Sequence, residues 1–235
     1  MTANDILREI EPLGRESYRN VIFKHGVKPP CFGVKISDLK VIRKRVGKNY
    51  RLALDLYDTG NYDAMYLAGL IADDARMTRK DLERWVGKAY CRPLVGSTVP
   101  WVSAESPHGH SVALEWIDSS KPLIATAGWA TLGSLVSIKA DADLDLAELK
   151  QLLQRARKII HDAPDAVRYA MNWFVIAVGC HVRPLSELAI ETGEKIGPVK
   201  VNLGDNSCEA FFSPDYIRKA ATRGTIGKKR KTAKC

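Results

Sequence analysis

The chain has 235 residues, of which 46% are hydrophobic, and carries a formal net charge of +9. This length allows a substantial core, in one domain or two fused halves. No apolar run approaches the roughly 18 residues that cross a bilayer, and the acidic start MTANDILREIEPLG does not resemble a signal peptide. These features exclude a membrane protein, and we expect a cytoplasmic one.

A basic cluster without any internal acid occupies the segment LKVIRKRVGKNYR. Its members are Lys40, Arg43, Lys44, Arg45, Lys48 and Arg51. Such a cluster must form a strongly positive surface, and surfaces of this kind suit a polyanion because neutralised phosphates release condensed counterions. We predict that Lys40, Arg43, Lys44 and Arg45 contact a nucleic-acid backbone.

Three later stretches repeat one pattern. They are LALDLYDTGNYDAMYLAGLIAD at 52–73, VALEWIDSSKPLIATAGWATLG at 112–133 and RARKIIHDAPDAVRYAMNWFVI at 155–176. In each, an apolar helix ends near an aspartate, namely Asp58, Asp118 or Asp162, and a Gly or Pro turn leads into a helix rich in small residues. Repeated helix pairs predict an all-α superhelix, an α-solenoid of HEAT-like units, with room for an extra helix between the first two.

A Trp and a carboxylate stand one helical turn apart in STVPWVSAESPHGHSVALEW at 97–116, where the helix breaks at Pro107 and restarts. Trp101 and Glu105 would share a helix face and could together flank a cationic ligand. The alternative is a packed corner in which Trp101 belongs to the core and Glu105 is its solvated neighbour.

The end of the chain is its most basic part. Residues 214–235 carry eight basic residues against one acid, which gives this segment +7. We predict an extended segment at 198–205 and then a helix with Ser213 as its N-cap. Beyond it we expect a basic tail, poorly ordered when free. The division is therefore an α-solenoid at 1–212 and a C-terminal helix and tail at 213–235, with Lys228, Lys229, Arg230 and Lys231 as DNA-backbone contacts.

Nothing in the sequence indicates a metal or a cofactor. The five cysteines, Cys31, Cys91, Cys180, Cys208 and Cys235, are scattered without a C-x-x-C spacing, so we predict free and mostly buried thiols. His108 and His110 have no further ligands close in sequence. A Gly-rich phosphate loop is also missing from the sequence. We expect a monomer without cofactor or metal.

Four elements in order, GVKISDLKVIRKRVGKNYRLALDLYDTGNYDAMYLAGLIAD, ERWV, ALEWI…AGWATL and VRYAMNWFVIAVG, resemble the AlkD-like family of DNA alkylation repair proteins over roughly residues 30–180. The resemblance implies a HEAT-like α-solenoid with a basic concave face that holds duplex DNA. It also implies a glycosylase that releases cationic N-alkylated purines. In that chemistry a carboxylate stabilises the sugar cation while tryptophans hold the base.

The family motif, W-D-x-x-D after the RWV element, then an Arg, then a Trp in the last repeat, is only partly matched. Trp173 stands at the last Trp, and Arg168 on the same helix is a candidate phosphate contact. Aligned without a gap, Arg92, Gly96 and Thr126 replace the motif's Trp, Asp and Arg, which predicts a silent site. A shift of nine residues instead places Trp101 and Glu105 on the motif, with Glu105 as a relocated catalytic carboxylate.

Two functions therefore remain open at the sequence level. One is a DNA glycosylase with Glu105 as catalytic carboxylate and with Trp101 and Trp173 as aromatic walls. The other is a non-catalytic HEAT-like module that binds nucleic acid, or a protein partner, through its basic surfaces. Catalysis requires a carboxylate on the DNA-facing surface, whereas binding requires only the basic residues.

Overall fold

The computed structural model describes residues 1–204 and 209–234, and about 70% of the residues are helical. The described residues form no β-strand, which confirms the all-α prediction. The helices are α1 (Ala3–Ile10), α2 (Glu16–Phe23), α3 (Ile36–Val46), α4 (Tyr50–Asp58), α5 (Tyr62–Ile71), α6 (Arg79–Lys88), α7 (Val99–Glu105), α8 (Gly109–Trp116), α9 (Pro122–Ile138), α10 (Leu146–Ile159), α11 (Asp165–His181), α12 (Ser186–Ile196) and α13 (Ser213–Thr222).

From α4 onward the helices form pairs that stack into two layers. The second helices α5, α7, α9, α11 and α13 each contact the next one, and the first helices of the pairs lie on the other side. All three predicted repeats are found, as α4–α5, α8–α9 and α10–α11. The additional residues between the first two repeats form a complete pair, α6–α7, rather than a single helix.

Two of the three turn aspartates, Asp58 and Asp118, link neighbouring first helices. Asp58 at the end of α4 pairs with Arg84 and, at 2.7 Å, with Lys88, both on α6. Asp118, after α8, lies 2.6 Å from Arg155 on α10. Because these pairs are partly solvated, each contributes at most about 1 kcal/mol. Their role is to fix the register of one repeat against the next.

The break between α7 and α8 is a tightly packed corner. A π-helical turn at Leu94–Thr98 leads into α7, which ends at Glu105, and α8 begins at Gly109. A Cβ atom on Gly109 would lie 2.0 Å from the carbonyl oxygen of Ser103. Only glycine therefore allows the chain to double back onto α7 at this point.

We expect Gly109→Ala to lower the free energy of unfolding by about 3 kcal/mol, because the added methyl group must displace backbone atoms. Urea unfolding followed by circular dichroism measures this change. The matched control is Gly87→Ala on the exposed surface of α6, where a Cβ meets no atom within 4 Å. That substitution should instead stabilise the chain by about 0.5–1 kcal/mol. Equal stability of both variants would contradict the packed corner.

The last helix, α13, packs closely on α11 and α12. A Cβ on Gly179 would lie 2.3 Å from Ile217, and one on Gly193 would lie 2.4 Å from the Ser213 hydroxyl. The predicted N-cap role of Ser213 is wrong: Phe212 is the N-cap, and the side chain of Ser213 forms no capping hydrogen bond. Ser213 is already helical, and its hydroxyl points at α12.

The segment before α13 has no regular secondary structure at residues 198–204, and Asp205 of the predicted extended stretch lies outside the described residues. Val199 is buried and ties this segment to the helices. The division of the chain at residue 213 stays a prediction.

Among the described residues, no single helix combines the length and apolarity needed to cross a bilayer. Helices α11 and α12 reach that length only together, and they are bent by 117°.

Candidate nucleic-acid interface

An open cavity of about 590 Å³ is lined mainly by α7, α9, α11 and α13 and by the turn before α7. Trp101 and Trp173, predicted as aromatic walls, both line it. Arg92, Gly96 and Thr126, which take the motif positions in the ungapped alignment, line it as well. The fold thus brings together the positions onto which the ungapped alignment places the motif.

Small side chains create the space. A Cβ on Gly96 would meet no atom within 4 Å, so a longer residue here would project into open volume. Ala130 and Gly133 on α9 and Ala177 on α11 are further small residues of the lining, and a Cβ on Gly133 would lie 3.7 Å from the Cβ of Ala177. The hydroxyl of Thr126 donates to the carbonyl of Pro122, 2.8 Å away in its own helix, so its proton is already used inside the protein.

Aromatic rings form one wall of the cavity and its mouth. The ring of Trp173 is 5.7 Å from that of Phe211, 5.4 Å from that of Tyr216 and 6.2 Å from that of Tyr169, always edge to face. Phe211 and Tyr216 remain 53% and 38% exposed. This exposure leaves aromatic surface open to solvent, on which a planar ligand can stack.

The charged groups of the lining are all basic. A guanidinium nitrogen of Arg92 lies 2.9 Å from Nδ1 of His25, and the same guanidinium sits over the Tyr169 ring at 5.7 Å. Burial, aided by Arg92, lowers the pKa of His25. Burial also lowers the pKa of His181 on the same lining, and the nearby charges of Lys229 and Arg230 lower it further. Among the described lining residues there is no Asp or Glu.

A second, wider groove of about 900 Å³ continues from the cavity, with which it shares Cys180, His181, Tyr216 and Arg230. Its basic lining residues are Lys219, Arg223, Lys228, Lys229 and Arg230, against the single acid Asp215. We call this surface the basic groove. Aromatic side chains beside a positive track are the combination that binds single-stranded nucleic acid.

Glu105 does not line the cavity. Its carboxylate accepts hydrogen bonds from the hydroxyl of Thr232 and, at 2.7 Å, from the backbone N–H of Ala233. Trp101, one turn earlier, is 7% exposed and packs edge to face on Tyr66 at 5.5 Å. The two residues share a helix but serve different surfaces, and the catalytic role of Glu105 stays a prediction.

The basic tail is bound along the helix ends, which corrects the expectation of a poorly ordered tail. The N–H of Gly227 donates to Cys180 at 2.9 Å, and the N–H of Arg230 donates to Ser137 at 2.8 Å. Ala233 is fully buried, and the Nζ of Lys234 lies 2.7 Å from a carboxylate oxygen of Asp74. The tail therefore crosses the carboxyl ends of α11, α9, α7 and α5, where cations are favoured by the helix dipoles.

The predicted tail contacts differ in availability. Lys228, Arg230 and Lys231 are exposed, whereas the ammonium of Lys229 is held 2.8 Å from Asp141 and 2.9 Å from the carbonyl of Val136. A phosphate contact is thus open to the first three, while Lys229 anchors the tail.

Arg168 is engaged inside the protein. Its guanidinium donates to the carbonyls of Lys200 at 2.7 Å, and of His161 and Ala163 at 3.0 Å each. These bonds fix the segment after α12 against the turn before α11. A DNA contact by Arg168 stays a prediction, and the observed geometry gives this side chain a structural task.

The predicted basic cluster on α3 is largely exposed. Arg45 is paired with Glu9 at 2.5 Å, whereas no described carboxylate forms an ion pair with Lys40, Arg43 or Lys44. This surface, which we call the α3 patch, lies outside the linings of the cavity and the basic groove.

Within the described part of the chain, no group of three or more potential ligands could hold a metal ion. His110 instead lies 2.7 Å from Glu148. Cys31, Cys91 and Cys180 are free and buried, as predicted, and burial raises the pKa of the last two thiols to about 11. Cys208 and Cys235 lie outside the described residues.

Comparison with known proteins agrees with this architecture. The sequence pattern of the family described as "DNA alkylation repair enzyme" matches residues 6–202. The uncharacterised protein Lin0241 of Listeria innocua is 30% identical over 229 residues, which cover 95% of this chain and 99% of that protein. Lmo0209 of Listeria monocytogenes, also uncharacterised, is 29% identical over 229 residues, which again cover 95% of this chain and 99% of that protein.

One solved structure superposes on this chain with a TM-score of 0.93 and 34% sequence identity, and the match covers 100% of both chains. It is described as "a new family of proteins related to the HEAT-like repeat DNA glycosylases with affinity for branched DNA structures". The HEAT-like α-solenoid predicted from the sequence is thereby confirmed.

Proposed function

Because the chain belongs to the DNA alkylation repair enzyme family, we propose that it binds branched DNA through its basic groove and does not excise bases. Linear duplex DNA is the weaker ligand and is held by general phosphate attraction to the basic surfaces. The protein acts as a recognition module, which is the non-catalytic alternative that the sequence left open.

The observation that carries this proposal is the acid-free lining of the cavity. The positions equivalent to the family motif meet there, yet they hold Arg92, Gly96 and Thr126, and the described lining has no carboxylate. Release of an alkylated base requires stabilisation of a developing sugar cation. Arg92 would oppose that positive charge, whereas it would attract a phosphate.

The solved relative supports the choice of ligand, since its description names affinity for branched DNA and its fold matches over the full chain. A branch point presents phosphates from two directions and frees bases from stacking. The exposed aromatic rings and the basic groove next to them suit both features.

We expect the protein to prefer a three-way junction over a linear duplex of the same sequence by at least tenfold at 0.1 M salt. Competition measured by fluorescence anisotropy, with both ligands at equal total phosphate, gives this ratio. Equal affinity for the two would refute branch recognition, since general phosphate attraction alone produces equal affinity.

On duplex DNA containing 7-methylguanine, we expect no base release above the spontaneous rate in single-turnover assays. If the parent protein does release the base, the variant Glu105→Gln tests whether Glu105 is the catalytic carboxylate. A fall of about a hundredfold in rate, with DNA affinity unchanged, would establish Glu105 as the catalytic carboxylate and reject a silent site.

A further inference from the structure

Resting on the proposed function, we infer that the cavity binds one unpaired nucleotide from the branch point. Its base stacks against the ring of Trp173, and its phosphate is held by Arg92 at the cavity and Arg230 at the mouth. The basic groove carries the strand on either side of that nucleotide.

Size and position permit this occupant. The volume of about 590 Å³ lies within the 300–1,000 Å³ in which proteins bind whole small molecules. Tyr216 and Arg230 belong to both the cavity and the basic groove. A strand lying in the groove can therefore turn one nucleotide into the cavity without leaving the protein surface.

The aromatic geometry favours a planar ligand. The rings of Phe211 and Tyr216 are tilted by 53°, and each stands at 75° or more to the ring of Trp173. None of these pairs is stacked in parallel, and Phe211 and Tyr216 remain 53% and 38% exposed, so a planar ligand can meet an open ring face here. Stacking on such a face is tolerant of base identity, which a sequence-independent reader of branch points requires.

The charges select an anion. Arg92 is partly buried and pairs with His25 rather than with any described carboxylate. A partly buried guanidinium without a carboxylate partner keeps N–H groups for an anion, and a phosphate supplies both charge and hydrogen-bond acceptors in a fork geometry. An apolar peptide would fill the aromatic wall but leave Arg92 uncompensated.

The test uses a duplex with a three-nucleotide single-stranded flap, in which 2-aminopurine occupies the unpaired position at the junction. A second duplex carries the same 2-aminopurine in a base pair. We expect the full-length protein to quench the unpaired probe by stacking and to leave the paired probe unchanged. Emission and affinity are recorded for each duplex.

Trp173→Leu should weaken binding of the flap duplex about tenfold and abolish the quenching, with no change in the salt dependence because no charge is lost. Trp173→Phe keeps an aromatic face and should restore part of the quenching.

Arg92→Gln should reduce the slope of log K against log salt by about 1. The matched aromatic control is Tyr18→Leu, which is half-buried on α2 outside the cavity lining and should change neither signal.

The outcomes separate the two claims. If the parent prefers branched DNA but Trp173→Leu leaves flap affinity and probe emission unchanged, the nucleotide site is refuted and branch binding stands. If the parent shows no preference for branched DNA, the nucleotide site is tested by itself with a five-nucleotide oligothymidylate. Quenching of tryptophan fluorescence that is lost in Trp173→Leu supports the site, and its absence overturns it. Quenching by an apolar peptide but not by the oligonucleotide would identify a protein-docking site instead.

Discussion

Removal of residues 227–235 is expected to lower the free energy of unfolding by about 3–5 kcal/mol, because it leaves a buried carboxylate without its buried partner. Asp74 is 1% exposed, and the Nζ of Lys234 lies within 3.0 Å of both its carboxylate oxygens and of the carbonyl of Ala72. The truncation also removes the donors to Glu105 and uncovers the site that buries Ala233.

Urea unfolding measures the loss, and two full-length variants isolate its origin. Lys231→Ala removes an exposed charge from the same segment and should change stability by less than about 0.5 kcal/mol. Lys234→Met keeps the length of the side chain but not its charge, and should account for most of the loss at pH 7. A truncated chain as stable as the parent would show that the tail does not hold the helix ends together.

The loss in Lys234→Met should shrink as the pH falls. Burial raises the pKa of Asp74 above its ordinary value, while Lys234 opposes that shift. Without Lys234, the folded pKa of Asp74 rises further. A group with a raised folded pKa contributes stability below its unfolded pKa and loses it as the pH rises through the folded value. The variant should therefore approach the parent near pH 4 and fall furthest behind at neutral pH.

The repeats could be predicted because their signals are local. A turn aspartate, a Gly or Pro turn and a helix of small residues lie within about one repeat, and α4–α5, α8–α9 and α10–α11 form where this pattern occurs. The pair α6–α7 was not predicted, because a π-helical turn and Pro100 obscure its second helix.

The course of the tail could not be predicted, since its partners are distant in the chain. Ala233 is 128 residues from Glu105, and Lys234 is 160 residues from Asp74. Composition therefore suggested a solvated tail. The residues from 227 to 234 gain their order from the carbonyls and carboxylates at helix ends, which exist only once the solenoid has formed.

The pairing of Trp101 and Glu105 shows the limit of helical spacing as evidence. Residues at i and i+4 share a face inside a helix, but Glu105 is the last residue of α7. At that position its side chain is free to meet the tail, while Trp101 faces the cavity and Tyr66. Phe211 and Tyr216 were not predicted as site residues. The signal in the sequence is that these aromatic residues stand beside a basic helix.

The largest expected effect on binding comes from the basic groove. Lys219, Arg223, Lys228 and Arg230 are exposed, and among the described residues none forms an ion pair with a carboxylate. Replacing all four by glutamine should weaken binding of the three-way junction by a hundredfold or more at 0.1 M salt. The slope of log K against log salt should flatten by about 3–4, since each lost phosphate contact contributes about 0.9.

The α3 patch provides the matched comparison. Replacing Lys40, Arg43 and Lys44 by glutamine removes a similar charge from a surface outside the cavity and the groove. This triple variant should weaken junction and linear duplex by the same factor and so preserve their ratio, whereas the groove variant should bring the ratio close to one. Thermal unfolding checks that both remain folded, because all the replaced side chains lie at the surface. Loss of branch preference in the triple variant instead would place the branch point at α3, and the cavity would then no longer be the site where the unpaired nucleotide is held.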